Sequence, residues 1–315
     1  MIARRIVGAL ALLAGAIGGN PVQAQMAAPP LEVAEPGPAG RRVSGEGWVG
    51  NYHPAAARAP GILALGGSEG GLGGGSARIA RALRDNGYSV LHLSYFRAPG
   101  QPEALSRIPL ELFDRGLAWL AEQPEVDASR LGVVGASKGA EAALLVASAN
   151  PAIKATVAGM PSSVVWPGFS WTGAPPEGST WSRGGKDVPA LAYGPYAGSI
   201  GSVYENGLKL LAANPETAIP IERATGPVLL VCGAKDTLWP ACPMADQLAA
   251  RAPRRVRTLR YADAGHGVFG LPPSRAPAPA SLGALGGSSQ GNADARTDGW
   301  PRILAFLHGT LKAKP

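Results

Sequence analysis

Apolar and polar positions fall into two alternating patterns along most of the chain. Short apolar runs stopped by glycine or proline are followed by stretches whose apolar positions recur every three to four residues. The first pattern is that of a strand buried on both faces, and the second that of an amphipathic helix. Strands are predicted at 61–65, 88–93, 131–134, 153–158, 227–232 and 256–261, with an early strand or edge hairpin at 46–53. Helices are predicted at 76–86, 109–123, from the residues after 137 through 149, at 244–251 and at 300–311. Gly87 stands where a left-handed helix C-cap belongs. This alternation predicts one α/β domain over 46–315, a mostly parallel central sheet with helices on both faces.

Four stretches break the rhythm. Residues 1–24 carry Arg4 and Arg5, an apolar run over 6–17 and the small-x-small signal Val22-Gln23-Ala24, which predicts a signal peptide cut after Ala24. The run is too short for a membrane span, so the expected product is an exported protein, periplasmic or secreted, with no stable span after cleavage. Residues 25–45, rich in alanine and proline without periodicity, are expected to be a flexible leader. Residues 160–222 are irregular and rich in Trp, Gly, Ser and Pro, as in a lid or pocket wall over an active site. Within and near that insertion Trp166, Trp171 and Trp181, together with Trp239, are the expected substrate-pocket residues. Residues 271–292 are expected to be mobile.

Charge narrows the partners. Removing residues 1–24 takes away two arginines and no acids, lowering the net charge from +7 to +5. The basic residues are scattered, and no basic stripe interleaved with aromatics points to nucleic acid. The two cysteines, Cys232 and Cys242, are either a disulfide closing a short loop or two free thiols.

The candidate chemistry centres on Gly135-Ala136-Ser137-Lys138-Gly139, with a buried strand before it and a helix-forming run after it. This is the setting of a nucleophile elbow, a turn so tight that the positions two before and two after the serine must lack bulk. A serine hydroxyl needs a base and an orienting acid. In the order serine, acid, histidine, each just past a strand end, Asp236 follows the strand at 227–232 and His266 follows the strand at 256–261. His53, His92 and His308 fall before the core strands, inside a strand and inside the last helix. An oxyanion hole would take the backbone N–H of Lys138 and one from Gly66-Gly67-Ser68-Glu69-Gly70-Gly71, at Ser68 or Glu69. The chain has no P-loop ending, no HExxH and no clustered Cys/His, so neither a cofactor nor a metal is implied.

With these residues in place, the chain resembles the α/β-hydrolase domain shared by acyl-CoA thioester hydrolases and bile acid-CoA:amino acid N-acyltransferase, a domain similar to dienelactone hydrolase. The resemblance rests on 66–72, Leu93-Ser94-Tyr95-Phe96, 108–113, 135–141, Gly233-Ala234-Lys235-Asp236-Thr237-Leu238-Trp239-Pro240 and Ala264-Gly265-His266. It implies thioester or carboxylic ester hydrolysis on a small acyl substrate, because serine at the nucleophile position goes with hydrolysis and cysteine with amino-acid transfer. Animal members carry an N-terminal β-sandwich, for which the residues ahead of this domain leave no room, and act on acyl-CoA inside cells. The rival readings are an acyltransferase to a non-water acceptor, a dienelactone hydrolase-like esterase, and an exported binding protein that keeps the fold.

Overall fold

A computed structural model describes residues 28–172, 176–275 and 285–312. The expected signal peptide therefore lies outside the described residues, as does the middle of the 271–292 stretch. Eight strands form one sheet. In chain order they are β1 (Arg41–Gly45), β2 (Trp48–His53), β3 (Ala59–Leu65), β4 (Ser89–Ser94), β6 (Val126–Ala136), β7 (Ile153–Gly159), β10 (Val228–Gly233) and β11 (Val256–Tyr261). Their order across the sheet is β1-β2-β4-β3-β6-β7-β10-β11. Only the β1–β2 and β2–β4 pairs are antiparallel; the others run parallel. Every residue of β3, β4 and β10 is buried, so both faces of the sheet are covered.

The helices are α1 (Gly74–Asp85), α2 (Glu111–Ala121), α3 (Lys138–Ala149), α4 (Ile200–Leu208), α5 (Ala241–Arg251) and α6 (Ser289–Leu307). α1 buries Ala77, Ile79, Ala80 and Leu83 at amphipathic spacing, and the Glu32 carboxylate accepts the N–H of Gly74 at its start. Beyond its last turn Gly87 takes φ 80°, as the C-cap reading expects. α3 is buried from Lys138 to Ser148, enclosed by the sheet and the insertion. None of the described helices is long and apolar enough to cross a membrane.

Three expectations need correction. The end of the 25–45 leader is ordered: β1 pairs with β2 around Glu46-Gly47, and Gly47 at φ 77° fits that two-residue hairpin turn. Further up, Val33 bridges to Leu72. The insertion is not structureless either. β8 (Trp181–Arg183) and β9 (Lys186–Asp187) join β5 (Ile108–Pro109) in a small second sheet, and α4 follows. Finally, α6 begins eleven residues before the expected helix start, inside the stretch expected to be mobile. Ser288 caps it by accepting the Gly291 N–H, buried Ala293 and Ala295 hold its first turns, and Pro301 lies inside the helix.

Candidate active site

Ser137 sits between the end of β6 and the first turn of α3 with φ 54° and ψ −120°, a region that non-glycine residues rarely adopt. Its neighbours explain how the turn closes. A Cβ on Gly135 would lie 2.1 Å from the Gly139 carbonyl oxygen, and one on Gly139 would lie 2.2 Å from that of Gly66. Glycine is thus required at both positions by contact with backbone that cannot retreat. The Ser137 N–H donates to the Gly159 carbonyl at 2.9 Å, fixing the elbow to β7.

His266 and Asp236 converge on this serine. His266 Nε2 lies 3.0 Å from Ser137 Oγ, and its Nδ1 lies 2.8 Å from Asp236 Oδ2. The other Asp236 oxygen accepts the N–H groups of Leu238 at 3.0 Å and Trp239 at 3.3 Å, which holds the carboxylate in one orientation. Both side chains are almost wholly buried, and the Trp239 ring meets the imidazole edge-on at 5.8 Å. Two other acids on the same part of the chain lie elsewhere: Asp263 pairs with Lys235 and Asp246 with Arg260 at the surface. His53 and His92 are buried, His92 against Ser76 Oγ at 2.9 Å, and His308 packs its Nδ1 on the Leu304 carbonyl.

The loop after β3 is held by its carbonyls. Tyr95 donates to Gly66 O, Arg97 to Glu69 O and Trp171 Nε1 to Ser68 O. The Glu69 carboxylate folds back, accepting the N–H of Gly67 at 3.0 Å and contacting its own backbone amide. Burial raises that carboxyl above its ordinary range. Glu69 is therefore the poorer of the two expected oxyanion donors. Among the described residues, the Ser68 and Lys138 amides donate to no protein acceptor.

Two positions with clear influence on the site were not singled out from the sequence. Glu141, fully buried, accepts from Lys138 Nζ at 3.0 Å, the Trp181 indole at 2.8 Å and the Trp166 amide at 3.2 Å. Lys138 Nζ also donates to Thr180 at 2.9 Å. Burial pushes the carboxyl up and the ammonium down, and each is opposed by its partner. Asn292 on α6 accepts the Gly265 N–H at 2.9 Å, steadying the His266 loop. An acid in the first turn after the elbow was a visible signal for Glu141; nothing local marked Asn292.

Ser137 borders two spaces. One is a cleft of about 880 Å³ reaching past His266 to α1 and α6. The other is a cavity of about 40 Å³ walled by Phe169, Trp171, Tyr204, Leu238 and Trp239. Trp171 and Trp239 thus stand where the pocket expectation put them. Trp166 and Trp181 do not: both are fully buried and line neither space. Their indoles are consumed in packing, Trp166 against Tyr193 and Tyr204 and Trp181 against Tyr95 and Phe113. Cys232 and Cys242 form a disulfide, with Cα atoms 5.2 Å apart, closing the loop that carries Asp236 and Trp239.

Comparison with known proteins adds three findings. The family described as BAAT / acyl-CoA thioester hydrolase C terminal matches residues 108–313. Acyl-coenzyme A thioesterase 6 of Mus musculus is 29% identical over 274 residues, 83% of this chain and 62% of that protein. This chain spans about three-fifths of the length of such curated relatives. Among solved structures, the thermophilic carboxylesterase EstE1, cloned from a metagenomic library, matches with TM-score 0.55 at 18% identity over 93% of this chain and 94% of its own. A dienelactone hydrolase-like promiscuous phosphotriesterase from metagenomic libraries matches with TM-score 0.51 at 18% identity, covering 86% and 98%. The fold is that of the α/β-hydrolases.

Proposed function

The chain belongs to the BAAT / acyl-CoA thioester hydrolase C-terminal family, and from that premise we propose that it is a serine hydrolase of thioesters or carboxylic esters. The observation that carries this reading is the position of His266, 3.0 Å from the Ser137 hydroxyl and 2.8 Å from Asp236. His266 takes the hydroxyl proton as Ser137 attacks the acyl carbon, and the leaving thiol or alcohol departs with that proton. Asp236 orients the imidazole and stabilises its cationic form. The Lys138 and Ser68 amides hold the oxyanion, since both lack a protein acceptor. Water, activated by the same histidine, then releases the acid from Ser137. The test is fluorophosphonate labelling and turnover of acetyl thioesters and p-nitrophenyl acetate. Wild type should label once and Ser137→Ala not at all; equal labelling or turnover in the variant would sink the assignment.

We place this activity outside the cytoplasm. The charged-then-apolar pattern of residues 1–24 and the Cys232–Cys242 disulfide both support an oxidising compartment. Mass spectrometry of the chain recovered from the cell envelope or medium should find it beginning after Ala24 with the bridge intact. An uncleaved, reduced chain in the cytosol would overturn this part.

A further inference from the structure

One wall of the cleft is cationic. Arg78 on α1 and Arg296 on α6 both line it, from two helices far apart in sequence. Arg296 Nε is buried and has no hydrogen-bond partner. Neither guanidinium forms an ion pair among the described residues, whereas Arg107, Arg251 and Arg260 each hold a carboxylate within 2.7 Å. The stretches outside the description contain no Asp or Glu, so no side-chain carboxylate there can supply the missing partner. The nearby acids are already engaged, Glu32 by the Gly74 N–H and Glu69 by the Gly67 N–H. Burial holds the Arg296 guanidinium below its ordinary range, and the neighbouring Arg78 charge adds to the effect. Two like charges brought together at a partly buried wall, one with an orphaned donor, are costly unless something anionic bridges them.

We propose that Arg296 and Arg78 form a subsite for an anionic group, phosphate or carboxylate, on the leaving-group side of the substrate. The inference rests on the hydrolase reading for its orientation: the acyl chain enters the aromatic cavity, which leaves the wide cleft to the departing thiol or alcohol. Guanidinium groups suit this role because their forked donors match both oxyanions. The subsite would act mainly on KM, since neither guanidinium hydrogen-bonds Ser137, His266 or Asp236.

The experiment compares three acetyl thioesters: acetyl-coenzyme A, which carries phosphates; S-acetylglutathione, which carries carboxylates; and neutral S-acetyl-N-acetylcysteamine. Arg296→Gln, which keeps most of the side chain's reach, and Arg78→Ala, at an exposed position, are measured against wild type. Each variant should lower the kcat/KM ratio of an anionic to the neutral thioester about tenfold, through KM. A drop confined to acetyl-coenzyme A identifies phosphate, and one confined to S-acetylglutathione identifies carboxylate. An unchanged ratio, including equal losses on all three substrates, overturns the proposal. Should wild type cleave none of them, the thioester half of the hydrolase reading fails separately, and calorimetric binding of coenzyme A and glutathione still decides the subsite. Binding of either that weakens about tenfold in Arg296→Gln supports it; no binding, or equal affinity in both proteins, refutes it.

Discussion

The two spaces that meet at Ser137 are built on different principles. The cleft is wide, about 880 Å³, and one of its walls carries Arg78 and Arg296, which form no ion pair among the described residues. The cavity is small, about 40 Å³, and its wall is aromatic and interlocked. From it a ladder of edge-on rings runs from His266 through Trp239 and Tyr204 to Trp166. A wall of that kind discriminates by size, because a methylene too many has to displace packed rings. A charged open wall discriminates by sign and tolerates shape. If Ser137 attacks as proposed, it would meet a strict requirement on one side of the scissile bond and a loose one on the other.

The most severe way to separate chemistry from shape is Ser137→Ala. Both spaces should persist while kcat falls by about 10⁴-fold or more. A smaller loss measured with a thioester would mean that another group attacks. Next in size is Glu141→Ala, which leaves the Lys138 ammonium buried and two indole-bearing segments unanchored. It should cost about 3–5 kcal/mol in denaturant unfolding. A variant within about 1 kcal/mol of wild type would show that the small cavity does not depend on this pair.

Replacing both Cys232 and Cys242 by alanine frees the Asp236–Trp239 loop on the aromatic side. The expected loss is about 2–3 kcal/mol, with selectivity among acyl lengths blurred and selectivity among leaving groups retained. Equal blurring on both sides would erase the distinction drawn between them. The mildest change is Phe169→Ala. Wild type should prefer acetyl over hexanoyl esters, since the cavity has room for only a few heavy atoms. The variant should shift that preference about tenfold toward hexanoyl; an unmoved chain-length profile would relocate the acyl group to the cleft.

The residues nearest the chemistry were the most legible. Ser137 and Asp236 each follow a buried apolar run, His266 follows the more polar edge strand β11, and strand-end placement brings the three to a shared edge. Elements whose order comes from distant partners were harder to read. β1 lacks a core-facing pattern of its own and exists by pairing with β2. The first turn of α6 reads as a Ser/Gly linker, whereas in the fold Ser288 caps it and Asn292 reaches the His266 loop. The tryptophans show the same limit in another form. Large aromatic area in an insertion announced burial correctly, but not which rings would face substrate. Trp166 and Trp181 went to the carboxylate beneath, while Trp171 donates to the Ser68 carbonyl at the cavity mouth.

The carboxylate of Glu141 has a consequence for anyone who would rebuild this protein. It joins the residue after the nucleophile to the insertion, which makes it an interchange point between a scaffold and a replaceable part. A transplanted insertion must present a backbone N–H and an indole-like donor at the same two points, or arrive with an apolar pair replacing Lys138 and Glu141 together. Loop grafts chosen for length and end-to-end distance alone would satisfy neither condition. Libraries that vary 167–179 while holding Trp166, Thr180, Trp181 and Glu141 fixed would search new pocket shapes without reopening the foundation.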